Sequence, residues 1–124
     1  MPIDDNLSQL LVDELAPLGA VVVRRMFGAG GVFIDGLMMA LIENDQLYFK
    51  VDDGLRPRFE AAGLAPFTYT KKTGKPVVMN FWQAPDIVLD DPDKLRDWAA
   101  AALAAARRVH KAATRRAKPR RARR

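Results

Sequence analysis

The chain has 124 residues, 49% apolar and 28% charged, a globular balance that excludes disorder throughout and suits one domain with its own core. It contains no cysteine, which removes disulfides, thiolate metal sites and cysteine nucleophiles. No apolar run approaches the ~20 residues of a membrane span, and the acidic start at Asp4-Asp5 is unlike a signal peptide, so the expected setting is the cytoplasm. Half of the 20 basic residues lie between Arg107 and Arg124, where there is no acid; the tail carries +10, and residues 1–106 carry 10 − 15 = −5. An acidic domain with a basic appendage follows, divided as 1–106 and 107–124.

Leu7, Leu10, Leu11, Leu15 and Leu18 recur at helical spacing after Asp4-Asp5, predicting a helix over about 5–17 that Pro17 and Gly19 end. Val21-Val22-Val23 begins a strand, and Gly31 to Asp35 another. Asp35-Gly36 is a two-residue hairpin signal. Leu37 to Ile42 is apolar at every position, as in a central strand, and Asn44-Asp45 makes the next turn. Leu47, Phe49 and Val51 then alternate with Tyr48 and Lys50, a half-buried strand.

Asp52-Asp53 caps a short second helix with Leu55, Phe59 and Ala62 on one face and Gly63 at its end. Two further strands, Phe67 to Thr70 and Pro76 to Trp82, flank a turn at Lys71 to Lys75. Asp90-Asp91-Pro92-Asp93 starts a third helix, whose apolar side is Leu95, Trp98, Ala102, Ala106, Val109 and Ala113. Pro119 stops it, and Arg120 to Arg124 are expected to be disordered. The order α-β(3-4)-α-β(2)-α predicts an α+β two-layer sandwich with an antiparallel sheet of five to six strands.

Catalytic chemistry is hard to assemble from these residues. The one histidine, His110, lies among Arg107, Arg108 and Lys111, and no serine or threonine has a histidine in view. Each Asp pair stands where a helix begins, so capping explains it without a metal. Gly28-Ala29-Gly30-Gly31 connects strand to strand, whereas phosphate loops run from a strand into a helix. Lys71, Lys72 and Lys75 with Arg24 and Arg25 read as a solvated hairpin tip or a small basic patch. The strand aromatics Phe27, Phe33, Tyr48, Phe49, Phe67, Tyr69, Phe81 and Trp82 read as core, because an RNA-reading sheet needs cations among its rings and only Lys50 qualifies. No cofactor, metal or catalytic residue is expected.

Met26-Phe27-Gly28, the Gly36 hairpin with Ala40-Leu41-Ile42, and the run Leu47 to Asp52 resemble the TfoX (Sxy) N-terminal domain family. So do Pro66-Phe67-Thr68-Tyr69, the lysine–glycine turn, and Leu89-Asp90-Asp91 followed by Leu95 and Trp98. The resemblance runs over nearly all of residues 5–108. It implies a two-layer α/β structure with an antiparallel sheet, and a part in regulating natural competence in bacteria, acting with the cyclic-AMP receptor protein at promoters. It brings no catalytic residues. Full-length members carry a second, helical C-terminal domain; here a basic tail stands in its place, so a stand-alone domain is expected. Gly30 stands where many members have tyrosine.

The expected function is a non-enzymatic regulatory or adaptor domain that works through a protein partner, one belonging to the transcription machinery. Arg107, Arg108, Lys111, Arg115, Arg116, Lys118, Arg120, Arg121, Arg123 and Arg124 would add non-specific attraction for DNA or RNA. Phe33, Met38, Met39 and Trp82 would line a sheet face left bare by the helices, a surface for the partner or for a homodimer. The competing expectation is that Gln83 to Leu89 folds over that face. The alternative function is a small-molecule-binding or enzymatic domain using the Gly28 to Gly31 loop.

Overall fold

The computed structural model describes residues 5–26, 29–44, 46–70, 73–74 and 76–117. The leucine stripe forms α1 (Asp5–Leu15), followed by a 3-10 turn over Ala16–Leu18. Pro17, without an N–H, cannot continue the α-helical ladder there. Leu7, Leu11 and Leu15 are buried, and Leu10 and Leu18 pack beside them.

Four strands then run as a meander: β1 (Val21–Met26), β2 (Ala29–Ile34), β3 (Leu37–Glu43) and β4 (Gln46–Lys50). Asp35 and Gly36 between β2 and β3 have φ of 51° and 84°. Two left-handed residues in succession are what a hairpin matched to the twist of its strands demands. Asn44, at φ 52°, opens the next turn; Asp45 lies outside the described residues, as do Phe27, Gly28, Lys71, Lys72 and Lys75.

The chain continues through α2 (Arg56–Ala61), β5 (Pro66–Thr70), β6 (Pro76–Gln83), a 3-10 turn over Asp86–Leu89, and α3 (Pro92–Ala117). Every strand pair is antiparallel, and the six strands lie in the order β1-β2-β3-β4-β6-β5. The last hairpin therefore enters with its second strand against β4, leaving β5 at the edge. This is the expected α+β arrangement, with the meander at its upper count of four strands.

The main core lies between one face of the sheet and the helices. Val32, Ile34, Ala40, Ile42, Leu47 and Phe49 meet Leu11 and Leu15 of α1, Phe59 of α2, and Leu95, Ala99, Ala102, Leu103, Ala105 and Ala106 of α3. The many alanines let α3 lie close to β3 and β4. Ala84 and Val88 join the same core, so the segment from Gln83 to Leu89 folds onto the helix side and not over the opposite face. Ala62, expected on the buried face of the second helix, is exposed; Leu64 packs against the core in its stead.

Candidate functional site

The feature that departs most from an ordinary globular fold is the far end of α3. Asp91 caps the helix, its Oδ1 accepting the backbone N–H of Asp93 at 3.0 Å and of Lys94 at 3.3 Å. Ala106 is the last fully buried position among the described residues: Arg107, Arg108, His110, Lys111, Ala113 and Thr114 are exposed, and Val109 and Ala112 are half-buried. Ala113, expected on the apolar side, has left the body. The remaining turns, residues 107–117, extend about 16 Å at 1.5 Å per residue. Cations at a helix C-terminus are favoured by the partial negative charge there.

Two of the expected tail cations are held by the body. Arg108 is bidentate on Asp52, with Nε to Oδ2 at 2.6 Å and Nη2 to Oδ1 at 3.0 Å. Arg107 reaches Asp35 in the β2–β3 turn at 3.8 Å. Asp52 also accepts the Leu55 backbone N–H at 3.0 Å at the entry to α2. The Arg108 bonds, helped by the Leu55 amide and opposed by partial burial, hold the Asp52 carboxyl below the usual carboxylate range. Its carboxylate in turn raises Arg108. Lys111 is exposed, Arg115 and Arg116 lie within α3, and Lys118, Arg120, Arg121, Arg123 and Arg124 fall outside the described residues. So do Pro119 and the expected disorder of the last five positions.

The four residues expected on a bare sheet face divide between its two sides. Phe33 and Met38 are half-buried on the side away from the helices. Met39 is fully buried in the main core, because β3 carries it as an extra residue: Val32 pairs with Ala40 and Phe33 with Met38. That bulge turns Met39 and Ala40 to the helix side together and breaks the alternation the sequence implied. Trp82 pairs with Phe49 and packs edge-on against Phe59 of α2, their centroids 6.5 Å apart. It too belongs to the covered side. The expected partner surface thus shrinks to Phe33 and Met38.

The face opposite the helices has chemistry of its own. Its small cluster is Ala29, Leu41 and Phe81, with Met38, Tyr48 and Phe67 against it, all of them on strands. Among the described residues no helix contributes to it. Tyr48 and Phe67 meet edge to face at 4.9 Å. Burial, and secondarily the Glu43 carboxylate, pushes the Tyr48 hydroxyl up. The Lys50 ammonium lies over the Phe81 ring at 4.9 Å from its centroid, and the Arg24 guanidinium over Phe33 at 5.2 Å. The sequence reading groups Arg24 with the Lys71 to Lys75 turn and misses its place among the strand rings. The period-2 spacing from Val22, which pairs with Phe33, could have found it.

Gly30 and Gly31 pair with Arg25 and Arg24 on one side and with Ile42 and Leu41 on the other. They are ladder residues of an interior strand, so they do not form the phosphate-cradling loop considered from the sequence. His110 is exposed on the α3 extension. Among the described residues, no three histidine, aspartate or glutamate side chains gather as a metal site, and no helix is long and apolar enough to cross a membrane.

Comparison with curated proteins returns no match. The TfoX N-terminal domain matches residues 13–106, a span that runs from within α1 to the last buried turn of α3 and takes in all six strands, and the chain belongs to the TfoX N-terminal domain family.

Proposed function

We propose that this protein is a non-enzymatic regulatory adaptor of the bacterial cytoplasm, in which the body engages a protein of the transcription machinery and the α3 extension draws in nucleic acid. The observation that carries the reading is the helix itself. α3 buries one face up to Ala106 and then continues as a helix rich in arginine and lysine, on which Arg107, Arg108, His110, Lys111, Ala113 and Thr114 are exposed. A rigid basic projection from an acidic body gains affinity for phosphate by releasing counterions. Family membership supports the regulatory part, and the lone tail histidine with no cysteine in the chain supports a role in contact over one in turnover. Ile87 and Leu89, 46% and 43% exposed on the helix side, supply apolar surface for a protein contact.

The test leaves the fold intact by sparing Arg107 and Arg108. Replacing the eight basic residues beyond Arg108 with glutamine is expected to abolish retention of duplex DNA at low salt while the thermal unfolding midpoint stays unchanged. Undiminished retention by that variant would refute the tail's role. Reproducible turnover in a hydrolase and transferase screen, lost on changing one body residue, would refute the non-enzymatic reading.

A further inference from the structure

We propose that the helix-free face of the sheet is a seat for single-stranded nucleic acid, with unpaired bases against Phe33 and its Arg24 partner and phosphates near Arg24 and Lys50. The proposal rests on and deepens the nucleic-acid reading above by naming the form of nucleic acid and the surface that takes it. Val22, Phe33 and Met38 lie side by side across β1, β2 and β3, and on the same face Lys50 stands opposite Phe81 across β4 and β6, with Met38 and Phe81 in one cluster. Arg24 is exposed, while Phe33, Met38, Tyr48 and Lys50 are half-buried, so rings and cations are both within reach of solvent.

Charge selects the occupant. The ion-paired cations of the body are Arg56 with Asp53, Arg58 with Asp97, and Arg96 with Glu14 and Asp93, all borne by helices. On the open face Arg24 and Lys50 make no ion pair among the described residues and rest on aromatic rings instead. Among the described residues no carboxylate stands with them on the strands; Glu43, beside Tyr48, is at the other end of β3. Burial lowers the Lys50 ammonium's pKa with no anion beside it to offset the cost. Two copies of this face would set these uncompensated cations against each other. A polyanion with exposed π-faces matches both features, since bases stack on aromatic and guanidinium planes irrespective of sequence. A duplex, with its bases already stacked, offers the rings nothing.

The α3 extension leaves the body at this same end of the sheet. Asp35, which holds Arg107, follows Phe33 by two residues, and Asp52, which holds Arg108, follows Lys50 by two. A strand drawn by the extension therefore has only to cross the sheet edge to reach this face.

The experiment is fluorescence anisotropy of the full chain with labelled oligothymidylate and with a mixed-sequence duplex of equal length. The full chain is expected to bind the single strand more tightly. Phe33→Leu and Arg24→Gln should each weaken single-strand binding about fivefold or more with little effect on the duplex, and Phe33→Tyr, which keeps the ring, should retain it. Arg24 is exposed, so its variant tests the surface even where Phe33→Leu lowers stability. The eight-glutamine tail variant should lose the duplex yet still prefer the single strand, which separates failure of the tail reading from failure of this one. Equal affinity of the full chain for both forms would overturn the proposal, as would single-strand affinity unmoved by Arg24→Gln and by folded Phe33→Leu. A dimer in light scattering that these two substitutions dissociate would overturn it as well.

Discussion

Gly19 shows how a single residue fixes the start of the sheet. It sits at φ 148°, and a Cβ there would fall 2.6 Å from the Asp35 carboxylate and 2.8 Å from Ile34. That carboxylate cannot swing away freely, since its other oxygen accepts the Ala20 N–H at 2.9 Å while the Asp35 N–H donates to the Ala20 carbonyl. Gly19→Ala is therefore expected to cost about 1–3 kcal/mol, read as a lower urea midpoint at unchanged slope. Asp52 shows a residue with two duties, opening α2 through Leu55 and holding Arg108 on α3. Its folded pKa is depressed, so the stabilisation is whole above the unfolded value of about 3.9 and is lost as pH falls through the lower folded value. Arg108 is 55% exposed, and solvent screening keeps the pair to about 1 kcal/mol. Asp52→Asn should trail the parent protein by that amount at neutral pH and converge with it only as the pH falls through the lowered folded pKa of Asp52. A gap that persists in acid would assign the loss to packing and not to charge.

At the scale of elements, α2 is short and is secured by one ring. Phe59 is fully buried, with Trp98 edge-on at 4.9 Å and Phe49 and Trp82 each at 6.5 Å. Arg58 covers the other contact of Trp98 at 4.0 Å and bonds Asp97 at 2.8 Å. Phe59→Ala should cost about 3–5 kcal/mol and shift tryptophan emission to the red, because both tryptophans of the chain pack on that ring. Emission unchanged in a folded variant would contradict this packing. The elements themselves were legible because each carried a local signal: the leucine spacing of α1, Asp35-Gly36, and Asp91-Pro92 ahead of α3. The faces were less so. Met39 lies on a bulge, and nothing local in Leu37 to Ile42 announces an extra residue. Trp82 points toward Phe59, and the side on which α2 settles is decided by tertiary packing. The same limit hid the insertion of β6 between β4 and β5, and with it the meeting of Lys50 and Phe81, since a strand's period gives its faces but not its neighbours.

At the scale of the whole molecule, the division of charge into −5 over residues 1–106 and +10 beyond is less complete than the arithmetic suggests. Asp35 and Asp52 each engage one arginine of the extension, which accounts for two of its ten cations and leaves eight to count toward phosphate. Each phosphate neutralised on a duplex contributes about −0.9 to the slope of log affinity against log salt, so eight cations bound the extension's slope at about −7. On the function proposed above, the acidic body competes with nucleic acid for the root of its own extension. Replacing both carboxylates, as Asp35→Asn with Asp52→Asn, would free Arg107 and Arg108 to reach phosphate. Binding to duplex DNA should then become tighter at low salt and its salt slope steeper by up to about two units, even though the fold loses the ion pairs and some stability with them. Anisotropy titrations across a salt series, on protein confirmed folded by circular dichroism, measure both quantities at once. Identical slope and affinity in the double variant would mean that the two ion pairs already open when nucleic acid binds, and that the body does not restrain its extension.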